Sequence, residues 1–372
     1  MKKNYYSDIE ENHKYLNVGE QPDLFCIQLG YALCPLVDEK KGALLLDEIT
    51  KFRKRKDANV GVFLPPIRIV DNLSLNPSEY VILFNGVEAG RIDIPTGYCY
   101  CLDDGDVKTP LYRDSWIKTK DPVYEVCDAF LVPEVNVKEL ENAGYTHITM
   151  EQIISAHLSE IFNKNRTKIL NQSMVNTLLD KVCKINPDVI TDVFFTNKFD
   201  TSDMKLLLNR LLEEWISIRD MNTILEAIAD NIKEERNPIK LAEKVRERLA
   251  YSFISQYADK NKCVHLIRIS QSFSLFLAEH IYIPQERNET PYFVFTPEER
   301  RMFTKKICDG LSNIIEKNFE PLFLTVSSIR LPLFESLKRE MPDVHIISDL
   351  EIHNLGNQFS IEIEGDIDLD EE

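Results

Sequence analysis

Two short patterns in the sequence combine residue types that bind metal ions. Cys99 and Cys101 form a Cys-x-Cys pair, and His157 stands three residues before Glu160. A structural zinc ion takes four ligands, and neither pattern has a second pair at a suitable spacing. We therefore interpret the cysteines as two thiols on one face of a strand, and His157 as a structural residue of a helix. We expect no metal site and no cofactor.

The short motifs of the common enzyme classes are missing from the sequence. It contains no GxxxxGK[ST] phosphate loop, no GxSxG, no HExxH and no CxxC. The seven histidines are dispersed, and none stands beside a cysteine or serine in a nucleophile signature. An enzyme would instead need perturbed titratable groups that converge in one cleft. We expect no catalytic residue.

Composition limits the class of protein further. The 372 residues are enough for two to four compact units, and a hydrophobic fraction of 44% allows proper cores. The net charge of −17 opposes binding to nucleic acid and to anionic lipid. Eight scattered cysteines are typical of reduced thiols in the cytosol. No run of about 18 apolar residues occurs, so no membrane span is predicted.

A pair of helices at residues 203–231 is the stretch around which the chain is organised. Apolar residues recur at helical spacing on both sides of a short connection at residues 216–220. Asp220 stands where the second helix needs an N-cap, and Arg219 precedes it. The short connection predicts two neighbouring helices of a bundle.

The remaining patterns predict an α+β chain of several subdomains. Asn85-Gly86 between two apolar runs predicts a type I′ hairpin. The five acidic residues among the last seven predict a disordered end. The predicted segments are a linker at 1–21, α/β parts at 22–80 and 132–168, a β-rich part at 81–131, a helical part at 169–250, another α/β part at 251–353 and an acidic tail at 354–372. Within the first part we predict a helix at 42–56 and strands at 60–64 and 67–70, and we predict a further strand at 128–133.

The string IRDMNTILEA at residues 218–227 carries a more specific signal. It resembles a signature in the cytosolic domain of the type III secretion export-gate family, FHIPEP, which serves the flagellum and the injectisome. Similar strings occur earlier in the chain, in the family's order. They are PLVD at 35–38, LPPIRIVDNL at 64–73 and the segment 82–90 with Gly86 and Gly90. Val70 departs from the family, which often has arginine there.

The resemblance implies a binding protein that forms the cytosolic ring of the export gate, with nine subunits. The 81–131 part would be an insert in the first subdomain, which would comprise 22–80 and 132–168, and the strand at 128–133 would return the chain to it. Arg219 and Asp220 would lie at the subunit interface. Implied partners are substrate–chaperone complexes, the secretion ATPase with its stalk, gatekeeper or switch proteins and the membrane export-gate components, with no nucleic acid. The chain would be the cytoplasmic domain of an inner-membrane protein. The alternatives are a soluble α/β enzyme with a pocket between subdomains and a passive scaffold.

The resemblance also places a chaperone-binding site. In flagellar members it is Asp-Pro-x-Phe together with a threonine before a His-Leu pair. The matching residues are Asp121 and Tyr124, with Ala156 at the threonine position. The alternative is that Asp121 only forms a turn and Tyr124 belongs to the core. The string YFVFTP at 292–297 favours the injectisome branch over the flagellar one.

Overall fold

The structure is a computed structural model that describes residues 22–95, 97–108, 110–111, 113–286, 289–316 and 319–369. The linker predicted at 1–21 lies outside these residues. The chain divides into two compact units. The first comprises the described residues through Ala58 and Phe63–Asn165, and the second comprises Asn59–Val62 and the described residues from Arg166 onward. Helices and several sheets occur in both, which confirms the predicted α+β class.

The first unit begins with a four-stranded sheet and one crossover helix. Its elements are β1 (Phe25–Leu29), α1 (Leu44–Val60), β2 (Arg68–Asp71), β3 (Glu79–Phe84) and β4 (Val87–Asp93), with 3₁₀ turns at Cys34–Val37 and Glu39–Lys41. The strand order is β2-β1-β3-β4, with β1 parallel to β2 and antiparallel to β3. Asn85 and Gly86 have φ of 50° and 78°, which confirms the predicted hairpin turn. The strand predicted at 60–64 is wrong, because α1 continues to Val60 and Gly61 then takes a positive φ of 81°.

A second sheet and two helices complete the first unit. They are β5 (Tyr98–Leu102), β6 (Ile117–Lys120), β7 (Asp128–Pro133), α2 (Val137–Ala143), β8 (Thr146–Ile148) and α3 (Met150–Lys164), with a 3₁₀ turn at Glu134–Asn136. The predicted strand at 128–133 forms, but it lies between β6 and β5 and does not return to the first sheet. Phe130 packs against Trp116 and Tyr145 at centroid distances of 6.0 and 5.7 Å, which gives this strand its core in the second sheet. The limits predicted at 80–81 and 131–132 fall inside β3 and β7, and the division into subdomains stays a prediction.

The second unit starts with a bundle of helices. They are α4 (Arg166–Ile169), α5 (Gln172–Cys183), α6 (Pro187–Ile190), α7 (Thr201–Glu213), α8 (Met221–Asn231) and α9 (Pro238–Ile254), with a π-helical turn at Thr191–Thr196 and a 3₁₀ turn at Ser255–Tyr257. The pair predicted at 203–231 is confirmed as α7 and α8, and both helices pack against α9. Leu207, Leu211, Ile224 and Ile228 are all fully buried. The helical periodicity of the sequence thus reports the core of this bundle.

A parallel sheet flanked by helices ends the second unit. The elements of this region are β9 (Cys263–Ile269), α10 (Gln271–Glu279), β10 (Ile281–Tyr282), β11 (Tyr292–Phe293), α11 (Pro297–Glu316), β12 (Leu322–Thr325), α12 (Ser327–Leu337), β13 (His345–Ser348), α13 (Asp349–Asn354) and β14 (Ser360–Ile367), with a 3₁₀ turn at Gly356–Gln358. Strands β10 and β11 pair with each other as a separate antiparallel sheet. The strand order of the parallel sheet is β13-β12-β9-β14, and all three pairings are parallel. Phe273, Phe303 and Phe334 lie in its core. Among the described residues, no helix has both the length and the apolar character that crossing a bilayer requires.

The acidic tail predicted at 354–372 is wrong for most of its length. Residues 360–367 form β14, which pairs with β9 along its whole length. Local contacts hold these acidic side chains, because Arg268 on β9 forms an ion pair with Asp366 at 2.6 Å and Nδ1 of His265 lies at hydrogen-bond distance, 2.7 Å, from Glu364. Ile367 is buried in the core of the sheet. Residues 370–372 lie outside the described part of the chain.

A buried ionic cluster joins four elements of the second unit. Glu214, directly after α7, receives hydrogen bonds from Arg246 on α9 at 2.6 Å and from Arg330 on α12 at 2.5 Å. Arg210 lies 3.3 Å from the same carboxylate, and Arg246 also donates to Glu351 on α13 at 2.7 Å. Burial alone would raise the pKa of Glu214, but the three guanidinium groups outweigh it and lower the pKa to about 2. This carboxylate therefore stays ionised in the folded protein.

Candidate docking and interface sites

Asp121 begins the loop between β6 and β7, and its side chain organises that loop. The carboxylate accepts hydrogen bonds from the backbone N–H of Val123 at 2.8 Å and of Tyr124 at 3.2 Å. The backbone N–H of Asp121 donates to the carbonyl of Cys127 at 3.0 Å. Asp121 is buried, with 7% of its surface exposed. Its carboxylate therefore stabilises the turn rather than facing a partner.

Tyr124 is presented by this turn at the surface. Its hydroxyl donates to the carbonyl oxygen of Ala156 on α3 at 3.4 Å, and 44% of its surface is exposed. Partial burial raises the pKa of the Tyr124 phenol, and the negative charges of Glu160 and Asp121 raise it further by smaller amounts. The hydroxyl is therefore protonated at neutral pH and able to donate. The structure brings Tyr124 and Ala156 together, as predicted, and turns Asp121 inward.

His157 follows Ala156 and packs inside the first unit. Its Nδ1 lies 3.1 Å from the hydroxyl of Tyr80, and the two rings meet edge to face at 5.9 Å. A Cβ atom at Gly90 on β4 would lie 2.2 Å from Nε2 of this ring, so only glycine leaves room for it. Burial lowers the pKa of His157 and favours the neutral ring. These contacts confirm the structural role expected for His157.

The Cys99–Cys101 pair is also part of a core. Both residues lie on β5 and are buried, and the Cys99 thiol donates to the carbonyl of Val132 at 3.7 Å. They belong to the same apolar cluster as Trp116 and Tyr145. The prediction of two thiols on one face of a strand is confirmed.

The predicted interface pair lies at the start of α8. The Asp220 carboxylate accepts from the backbone N–H of Thr223 at 3.1 Å and from its hydroxyl at 2.7 Å, which confirms the predicted N-cap. Asp220 and Arg219 are both exposed, whereas Ile218 before them is fully buried. The string at 218–227 thus combines buried core positions with an exposed pair at its beginning. The interface role of Arg219 and Asp220 stays a prediction.

The first unit also contains a groove that the sequence did not predict. Its volume is about 590 Å³, and none of Asp121, Tyr124 and Ala156 lines it. Charged side chains such as Glu134 and Glu141 line it together with apolar ones. The apolar lining includes Leu33, Pro35, Ile94, Tyr98, Val137 and Ile153. Because these residues come from well-separated segments of the chain, no local pattern identifies the groove.

The fold and these sites define a mixed α+β protein of two units. It presents an exposed tyrosine, Tyr124, on a turn that Asp121 stabilises, and an exposed pair, Arg219 and Asp220, at the start of a helix. The chain belongs to the FHIPEP family, whose model matches residues 2–356. It is similar to the flagellar biosynthesis protein FlhA of Treponema pallidum (strain Nichols), with 30% identity over 332 residues, which are 89% of this chain and 46% of that protein. The chain thus spans about half the length of this relative.

Solved structures match the fold over nearly the whole chain. The Chlamydia pneumoniae CdsV protein has a TM-score of 0.78 and 22% identity, covering 94% of this chain and 98% of its own. In its complex with CdsO the TM-score is 0.76, with 21% identity and the same coverage. Nonameric EPEC SctV-C has a TM-score of 0.73 and 18% identity, covering 94% of this chain and all of its own. The predicted fold class and family are confirmed.

Proposed function

We propose that this chain forms the cytosolic ring of a bacterial type III export gate, where substrate–chaperone complexes dock before export across the inner membrane. Membership of the FHIPEP family over nearly the whole chain is the observation that carries this proposal. The fold shared with SctV-C, which is solved as a nonamer, supports a ring of nine subunits. The relative from Treponema is named for flagellar biosynthesis, so the preference for the injectisome branch stays a prediction.

The ring requires two different faces on each subunit, because a closed ring of this kind has heterologous interfaces. We place Arg219 and Asp220 on one of these faces. Both side chains are exposed, and the N-cap fixes the backbone that carries them. Charged pairs of this kind contribute orientation and selectivity at an interface more than affinity.

The partners belong to the same proposal. CdsV is solved in complex with CdsO, and we assign this chain a partner of the same kind. The secretion ATPase with its stalk, gatekeeper or switch proteins and the membrane export-gate components complete the proposed set. The chain would then work in the cytoplasm beneath the inner membrane.

Replacing Tyr124 by alanine is expected to weaken docking of a cognate substrate–chaperone complex by about 1–3 kcal/mol, or roughly 5- to 150-fold in Kd. A half-exposed tyrosine on a rigid turn offers apolar area and a hydroxyl, as interface hot spots do. Tyr124→Phe retains the ring and is expected to lose less affinity for the complex than Tyr124→Ala. Isothermal titration calorimetry with the purified complex measures both changes.

The matched control is Tyr31→Ala, which removes another exposed tyrosine of the first unit, 63% exposed, and is expected to leave Kd unchanged. Asp121→Ala is a poor probe, because the change also removes two hydrogen bonds that hold the turn. Equal affinity for Tyr124→Ala and the unmodified chain, with both folded by circular dichroism, would place the docking site elsewhere.

A further inference from the structure

Parallel pairing of β9 with β14 brings together three side chains of different metal-binding types. Cys263 and His265 lie two residues apart on β9, and Glu362 on β14 is the register partner of His265. One ligand atom from each residue lies within 4.8 Å of the others. We propose that Cys263, His265 and Glu362 form a binding site for a thiophilic divalent cation of the zinc class.

Both distances from the Glu362 carboxylate to the other ligand atoms are close to those around a small tetrahedral ion. Oε2 of Glu362 lies 3.8 Å from Sγ of Cys263 and 3.8 Å from Nδ1 of His265. Zinc bonds of about 2.0–2.3 Å at tetrahedral angles separate their ligand atoms by roughly 3.4–3.6 Å. These two separations therefore need to close by only a few tenths of an ångström around the ion, and the separation between the ligand atoms of Cys263 and His265 lies within 4.8 Å.

The surroundings of His265 fit metal binding through Nδ1. A metal-bound histidine usually donates its other ring N–H to a carboxylate, and Oδ2 of Asp259 faces Nε2 at 3.7 Å. This separation is too long for a hydrogen bond, and Nε2 is buried with no hydrogen-bond partner among the described residues. Phe319 stacks on the imidazole at 3.9 Å and fixes the plane of the ring. Asp259 is thus placed as a positioning residue for the metal ligand.

Glu364 supplies the remaining negative charge. Its Oε1 lies 2.7 Å from Nδ1 of His265, because a bulge in β14 between Ile363 and Gly365 turns Glu364 toward the ring. Metal binding at Nδ1 displaces this hydrogen bond and leaves the carboxylate beside the ion as a fourth ligand or as a partner of bound water. A thiolate, an imidazole and carboxylates select zinc-class ions over calcium and magnesium, which prefer oxygen alone.

Such an ion would crosslink the last strand of the protein to the sheet. The site has ligands from residues about a hundred positions apart in sequence, and both strands are otherwise joined by backbone pairing and side-chain contacts. Because the assembled site exists only in the folded chain, the bound ion stabilises β14 by mass action. The sequence did not predict this site, since Glu362 comes near Cys-x-His only after the parallel pairing forms.

Cobalt titration of the full chain, reduced and freed of metal with a chelator, tests the proposal. We expect one Co²⁺ per chain, tetrahedral visible bands and a near-ultraviolet thiolate-to-cobalt absorption that Zn²⁺ abolishes by displacement. Cys263→Ser should remove the thiolate absorption, and His265→Gln should weaken binding at least about 10-fold. Asp259→Asn should weaken it about 10- to 100-fold and retain the thiolate absorption, as expected for a positioning residue.

The controls are Cys183→Ser and His353→Gln, which change an exposed cysteine and an exposed histidine of the same unit and should leave the titration unaltered. X-ray absorption of the zinc-loaded unmodified chain should show one sulfur among the ligands and does not depend on any variant folding. A ligand shell without sulfur, or a thiolate absorption that persists in folded Cys263→Ser, would overturn the proposal.

Discussion

Replacing Glu214 by glutamine lowers the free energy of unfolding by about 3–5 kcal/mol, because it leaves buried guanidinium groups without their shared carboxylate. The side chains of Arg210, Arg246 and Arg330 are at most 6% exposed, so water cannot replace the lost charge. The glutamine side chain has nearly the same shape as glutamate, and the change therefore tests charge rather than packing. Urea unfolding followed by circular dichroism measures the difference.

The control for this prediction is Glu340→Gln, an exposed glutamate after α12, which should change stability by no more than about 0.5 kcal/mol. The pH dependence has a definite sign. The folded-state pKa of Glu214, about 2, lies below its ordinary value of 4.5, so its contribution is present above pH 4.5 and is lost as the pH falls toward 2. Equal stability of the Glu214 and Glu340 variants would contradict the proposed importance of this cluster.

Replacing Gly61 by alanine is expected to cost about 2–5 kcal/mol of stability. A Cβ atom there would lie 2.3 Å from the backbone nitrogen of Arg219 and 2.7 Å from the carbonyl carbon of Ile218. Its φ of 81° adds the left-handed penalty of about 1–2 kcal/mol, and overpacking against fixed backbone adds about 1–3 kcal/mol. The neighbouring carbonyl of Val60 accepts from the N–H of Ile218 at 2.9 Å, so this contact holds the start of the family signature.

Gly356→Ala separates the two contributions. Gly356 lies in the same unit with a φ of 63°, and a Cβ atom there would meet no described atom within 4 Å beyond its chain neighbours. Alanine at this position therefore incurs the backbone penalty alone. Thermal and urea unfolding should show a clearly larger loss for Gly61→Ala than for Gly356→Ala. Equal losses would mean that the close approach of Gly61 to Arg219 is relieved at little cost.

Local chemistry in the sequence predicted the features that depend on neighbouring residues. Asp220 caps α8, and Asn85-Gly86 forms the hairpin turn. Each rests on hydrogen bonds or φ values set within four residues, which a single sequence shows directly. The helical periodicity of α7 and α8 is local in the same sense.

Features that depend on pairing over long distances were not predictable in this way. The acids of β14 favour disorder until Arg268 and His265 on β9 are placed beside them. The apolar residues at 128–133 predict a strand, but they do not indicate which sheet the strand joins. At the candidate docking site, the resemblance selected Tyr124 and Ala156, which do meet, but it did not show that the Asp121 carboxylate is occupied by its own turn.

Native mass spectrometry of the chain over a range of concentrations tests the central claim most directly, because a ring subunit must assemble with a fixed stoichiometry. Under the proposed function a membrane part would raise the effective concentration of the subunits, so the measurement includes a fusion to such a part. We expect a closed species of nine chains, weakened by Arg219→Glu. Monomers and two-fold dimers alone at every concentration, in the fusion as well, would contradict the proposal that this protein is a ring subunit of an export gate.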